Sequence, residues 1–112
     1  MKKIEAIVRP ERLDAVREAL ENCGCDGMMV SEIEGHGKQK GVVQQWRGEK
    51  YKLSLLPKIK LEMIVRDADE AKIIATLLAS AKTGDIGDGK IFVSDVGNVI
   101  RIRTGERGEA AV

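Results

Sequence analysis

From Lys3 to Arg9 apolar and polar positions alternate, with Ile4, Ala6 and Val8 on one side and Lys3, Glu5, Ile7 and Arg9 on the other. That period of two predicts a strand. Pro10 stands at a helix-start position. Leu13, Val16 and Leu20, with Ala15 and Ala19, then recur at helical spacing until Gly24 supplies a C-terminal cap. Met28 to Glu34 returns to strand character, with Val30 and Ile33 as its β-branched members. A second clear alternation runs from Lys58 to Arg66, setting Ile59, Leu61, Met63 and Val65 against Lys58, Lys60, Glu62, Ile64 and Arg66. From Asp69 to about Lys82, the residues Ile73, Ile74, Leu77, Leu78 and Ala81 predict a second helix. Ile91 to Val96 and Val99 to Arg103 read as strands, and the polar tail Thr104 to Val112 is expected to be mobile.

Strand, helix, strand, strand, helix, strand is the order of an α+β, ferredoxin-like βαββαβ sandwich, here a single domain over 1–112. The helices are expected to cover the face carrying Ile4, Val8, Leu61, Met63 and Val65. The opposite face carries Glu5, Ile7, Lys60, Glu62 and Ile64, and its mixture of ions and isoleucine suits contact with another subunit. Between the second and third strands, Gly35 to Pro57 shows no clear period. Structureless loops longer than about 12–15 residues are usually functional or disordered. This one holds Trp46 and Tyr51, and Trp46-Arg47 is the composition of an interaction hot spot.

Composition narrows the class. The 112 residues are 43% hydrophobic and 33% charged with a formal net charge of +1, which excludes disorder and gives no bulk attraction for nucleic acid or membrane. No apolar run approaches a membrane span. The N-terminus enters a strand pattern at once, so no signal peptide is expected and the chain reads as cytoplasmic. Cys23 and Cys25 are too close for a good structural disulfide and lack a second pair for zinc, and so read as ordinary thiols.

The densest chemical signal is Thr83-Gly84-Asp85-Ile86-Gly87-Asp88-Gly89-Lys90. Its glycines free the backbone for close approach to a ligand, and Lys90 offers a point charge to an anion. Gly84 to Lys90 fits the start of the phosphate-loop pattern G-x-x-x-x-G-K, but Ile91 stands where Ser or Thr should hold magnesium, and a strand follows instead of a helix. Arg101 and Arg103 lie on one face of their predicted strand. Such a face is ordinarily solvated; beside this turn, Lys90, Arg101 and Arg103 could neutralise much of a triphosphate, with turn N–H groups as an anion nest. Enzyme signatures are missing. His36 has no obvious partner, Asp85 and Asp88 read as turn chemistry, and Phe92 alone cannot make an RNA-stacking platform.

Taken together these segments resemble the PII nitrogen-regulatory signal-transduction proteins, over essentially the whole chain. The resemblance rests on Met1 to Ile7, Gly35-x-Gly37-x-Gln39-Lys40-Gly41, Tyr51, Leu56-Pro57-Lys58, Thr83 to Val93 and Ile100 to Glu106. It implies a homotrimer with ATP or ADP in the clefts between subunits, and a T-loop at about 36–55, a B-loop at about 82–90 and a C-loop at about 101–109. Phosphate contacts carried over fall on Gly87, Asp88, Gly89 and Lys90 of one subunit and on Arg101 and Arg103 of its neighbour. Ile7, Glu62 and Ile64 match positions around the base, and Gly35, Gly37, Lys38 and Gln39 match the cleft lining. The resemblance further implies 2-oxoglutarate beside Mg-ATP, held by Gln39, Lys40, Gly41 and Lys58. Mg²⁺ would be held by the phosphates, the 2-oxoacid and Gln39, so no Ser or Thr is needed after Lys90.

Lys38 replaces a more common arginine and cannot make its forked contact. Met29 replaces a common threonine, and His36 replaces an apolar or aromatic residue. The ATP/ADP preference and its coupling to 2-oxoglutarate are therefore not carried over. Tyr51 matches the tyrosine that some relatives have uridylylated or adenylylated, whereas Glu49 replaces a serine phosphorylated in another branch. The implied mechanism is a population shift in which effectors select T-loop conformers that dock on an ammonium channel or a nitrogen-assimilation enzyme through Trp46, Arg47 and Tyr51. Membranes would be met only through such a channel. The alternatives are a specialised paralogue acting directly on nitrogenase or glutamine synthetase and, from another class, an ATP-hydrolysing enzyme.

Overall fold

The computed structural model describes residues 1–35 and 56–112, and within 36–55 only the backbone of two short strands. The elements in chain order are β1 (Lys2–Val8), α1 (Leu13–Asn22), β2 (Met29–Gly35), β3 (Val43–Trp46), β4 (Glu49–Lys52), β5 (Leu56–Val65), α2 (Glu70–Ala81) and β6 (Lys90–Asp95). A 3-10 turn leads into each helix, at Pro10–Arg12 and Asp67–Asp69. The main sheet is antiparallel in the order β2-β5-β1-β6, with the two longest-range alternations, β1 and β5, at its centre. This is the predicted ferredoxin-like arrangement.

Alternation sets the core. Ile4, Ala6 and Val8 meet Ile59, Leu61, Met63 and Val65, and against them pack Val16 and Leu20 of α1 and Ile73 and Leu77 of α2. Burying each of these side chains larger than alanine contributes about 1.5–3 kcal/mol. The helix α1 ends as its glycine demands. Gly24, at φ 92°, donates to Glu21 O at 3.1 Å, and Cys25 donates to Leu20 O at 2.9 Å, the paired bonds of a Schellman cap. The cap turns Cys25 into the core, where its Sγ lies 3.9 Å from Met63 Sδ and burial pushes its thiol pKa up. Cys23 and Cys25 are both free thiols.

Two segments depart from expectation. Gly35 to Pro57, read as aperiodic, contains an antiparallel ribbon in which Trp46 pairs with Glu49 and Tyr51 with Gln44. Val99 to Arg103 is not a strand. Ile100 makes a single bridge to Arg107, and the chain closes on itself through Gly105 N–H to Arg101 O at 2.8 Å, Arg101 N–H to Glu106 O at 2.9 Å and Gly108 N–H to Val99 O at 3.0 Å. Alternation was present, but a strand needs a neighbour, and among the described residues this segment pairs only with its own return limb. Beyond it, the tail ends in a 3-10 turn at Gly108–Ala111.

Candidate functional site

The turn between α2 and β6 is built around the Asp88 carboxylate. It accepts hydrogen bonds from Thr83 N–H at 2.8 Å, Gly84 N–H at 2.9 Å and the Thr83 hydroxyl, and Arg9 Nε donates to it at 2.9 Å. These donors, the Thr83 hydroxyl first and Arg9 next, hold the Asp88 carboxyl well below the usual carboxylate range. The Asp88 side chain is therefore spent inside the turn, as its reading as turn chemistry expects, and Asp88 offers an anion only its backbone. Because the folded pKa is depressed, the stability it contributes is present above the ordinary aspartate value of 3.8 and is lost as pH falls below that value. Amide exchange at Thr83 and Gly84 should therefore stay protected to below pH 3.8 in the wild type, and Asp88→Asn should lack that acid-dependent step.

Two cations hold the next carbonyls. Arg9 Nη2 donates to Ile86 O at 2.9 Å, and Lys58 Nζ donates to Gly87 O at 2.6 Å. Among the described residues no peptide bond is cis. In a planar trans peptide the C=O and N–H point opposite ways, so Gly87 and Asp88 turn their N–H groups away from these cations. Lys58 is only 8% exposed, and burial first, then the Arg9 charge, lowers its pKa. Its stem runs past Gly35, where a Cβ would stand 3.0 Å from Lys58 Cγ. At Gly89, with φ +101°, a Cβ would stand 1.7 Å from Ile7 O, so only glycine lets the turn press onto β1. Lys90 follows at once, exposed at the start of β6.

Sheet register states which predicted site residues meet. Ile7 sits between Lys60 of β5 and Lys90 of β6, so Ile7, Gly89, Lys90, Lys58 and Gly35 share one end of the sheet. Glu62 lies one same-face row away and Ile64 two rows, which is roughly 7 Å and 14 Å along the strands. Glu62 also has partners of its own, Lys60 at 2.9 Å and Lys3 at 4.0 Å, and the Lys60 bond holds its carboxyl below the ordinary range. Met29 pairs with Glu62 in register and is exposed. Arg101 is tied to Glu106 at 3.3 Å and Ala110 O at 3.4 Å, whereas Arg103 lies exposed in the following turn. The two arginines thus do not share a strand face as predicted. Gly37, Lys38, Gln39, Lys40, Gly41 and Arg47 lie outside the described residues, as do the side chains of Trp46 and Tyr51.

Glycines at 87 and 89, a buried lysine behind them and an exposed one after them make a geometry that suits an anion. A family model described as Nitrogen regulatory protein P-II matches residues 1–106. The chain belongs to this family. Nitrogen regulatory protein P-II 2 of Methanothermobacter thermautotrophicus is 54% identical over 112 residues, all of this chain and 97% of that protein. Nitrogen regulatory protein P-II of Klebsiella oxytoca and P-II 1 of Escherichia coli strain K12 are each 52% identical over the full length of both chains. This P-II chain accordingly has a nitrogen-regulatory signalling role, and its family members are regulators. Among the described residues no helix is long and apolar enough to cross a membrane.

Sequence reasoning missed Arg9 and Thr83. Arg9 was read only as the polar end of a strand, and Thr83 only as the first residue of the turn. A usable signal existed, since continuing the β1–β6 register one step beyond Val8 brings Arg9 opposite Asp88.

Proposed function

We propose that this P-II chain senses ATP or ADP and 2-oxoglutarate and controls proteins of nitrogen assimilation through the conformation of residues 36–55. The observation that carries the reading is the turn itself. Gly87 and Gly89, both at positive φ, are held against Lys58 and Ile7 and are followed directly by the exposed Lys90. Outward N–H groups and a lysine at one spot suit the phosphates of a nucleotide. Lys58 behind the turn suits the carboxylate of 2-oxoglutarate, with Gln39, Lys40 and Gly41 as its expected partners and Mg²⁺ joining Gln39, the oxoacid and the phosphates.

The separation of Glu62 and Ile64 from Ile7 favours a site shared between copies. One copy would bring Ile7, Gly35, Lys58 and the turn; its neighbour would bring Glu62, Ile64, Arg101 and Arg103. A homotrimer meets that need, and it would also cover Phe92, Val93, Ile100 and Ile102, large apolar side chains exposed on or after the edge strand β6. An ammonium channel or a nitrogen-assimilation enzyme is the expected target, with Trp46, Arg47 and Tyr51 at the contact and Tyr51 as a modification acceptor.

Arg103→Ala tests the shared site. A charge-assisted hydrogen bond contributes about 1.5–3 kcal/mol, so nucleotide affinity should fall by roughly 10- to 100-fold. The oligomer, measured by sedimentation, should stay intact. Unchanged affinity would remove Arg103 from the site.

A further inference from the structure

We infer that Arg9 is a positioning residue for the turn 83–90, fixing the backbone on which the nucleotide reading rests. Its guanidinium makes two separate bonds into the turn, Nε to Asp88 Oδ1 at 2.9 Å and Nη2 to Ile86 O at 2.9 Å. Asp88 passes the constraint on to the opposite end of the turn, through Thr83 N–H and Gly84 N–H. One side chain just beyond the end of β1 thereby ties residues 83, 84, 86 and 88, none of which belongs to a strand or helix. The rigid fork of a guanidinium suits this task better than an ammonium, whose donors share one rotatable nitrogen and fix the two directions less firmly.

The polarity follows from peptide geometry. With the Ile86 carbonyl held by Arg9, the N–H of Gly87 points away from Arg9. Lys58 does the same for the next peptide. Arg9 itself is mostly covered, with 12% of its side chain exposed, and Glu11 lies 4.0 Å from its far nitrogen. Its charge is therefore used largely within the protein. The groups facing Asp88 are Arg9, Thr83 and, at longer range, Lys58.

Three measurements on the full-length protein and on Arg9→Ala and Arg9→Lys test this. Amide exchange without ligand should show protection at Thr83 and Gly84 falling about 10-fold in Arg9→Ala, with core amides of β1 and β5 unchanged. The pH below which that protection is lost should move up in Arg9→Ala, because Asp88 loses its cation. ATP affinity should fall about 10-fold in Arg9→Ala, and Arg9→Lys, which can keep the Asp88 contact alone, should recover part of both losses. Equal ATP affinity in Arg9→Ala and wild type would overturn the inference. So would a loss in Arg9→Ala that tracks a general loss of core protection and is not relieved in Arg9→Lys. Wild type that binds no ATP would instead overturn the nucleotide reading, leaving exchange and its pH midpoint to decide the clamp alone.

Discussion

Gly89→Ala should be among the most damaging single-methyl additions in the chain. The new Cβ would stand 1.7 Å from Ile7 O and 2.7 Å from Ile7 C, both backbone atoms of a central strand that cannot step aside. The position also lies at φ +101°, where side chains other than glycine are strained. Overpacking and backbone strain together are expected to cost on the order of 3 kcal/mol, which would lower the thermal midpoint by on the order of 10 °C in a domain of this size. Gly84→Ala is the control. It shares a positive φ, +96°, but nothing lies within 4 Å of its Cβ, so only the conformational cost of about 1 kcal/mol remains. Thermal unfolding of the two variants separates close approach from turn conformation. Nucleotide binding should be lost in Gly89→Ala even below its midpoint, because the turn can no longer seat on β1.

Lys58→Met should separate effector response from fold. Methionine replaces the aliphatic stem that packs against Gly35 while removing a charge whose burial is unfavourable. The Gly87 carbonyl loses its donor, a cost of about 1 kcal/mol that relief of the buried charge offsets, so stability should change by less than about 1 kcal/mol. Binding of 2-oxoglutarate should suffer far more. Removing one partner of a buried charge pair costs about 2–5 kcal/mol, or on the order of 30-fold in affinity and upward. The variant should also change an alkaline signature. A lysine whose folded pKa is lowered binds fewer protons folded than unfolded, so its contribution to stability rises with pH in the window below and up to 10.5. Lys58→Met should lack that increment when the two proteins are compared across the window.

The core of this fold was legible because its signal is local. Ile4, Ala6 and Val8 against Ile59, Leu61, Met63 and Val65 declare one buried face within each strand, and every one of them is buried. The ribbon β3–β4 carries no such signal. Its residues, Val43-Gln44-Gln45-Trp46 and Glu49-Lys50-Tyr51-Lys52, are mostly polar and find order in cross-strand pairing. Ile100 to Arg103 failed in the opposite sense, since alternation cannot report whether a partner strand exists. At the site, glycine density and Lys90 marked the turn, but not its wiring. Arg9 and Asp88 are 79 residues apart, and only the register of β1 with β6 brings them together. The same register separates Ile7 from Ile64, a division that motif matching alone had merged into one list.

Titration calorimetry of the folded protein with ATP, with and without Mg²⁺ and 2-oxoglutarate, tests the central claim most directly. Saturable ATP binding with as many sites as chains, altered by 2-oxoglutarate only when Mg-ATP is present, is the predicted result. A folded, oligomeric protein that takes up no nucleotide under any of these conditions would contradict it.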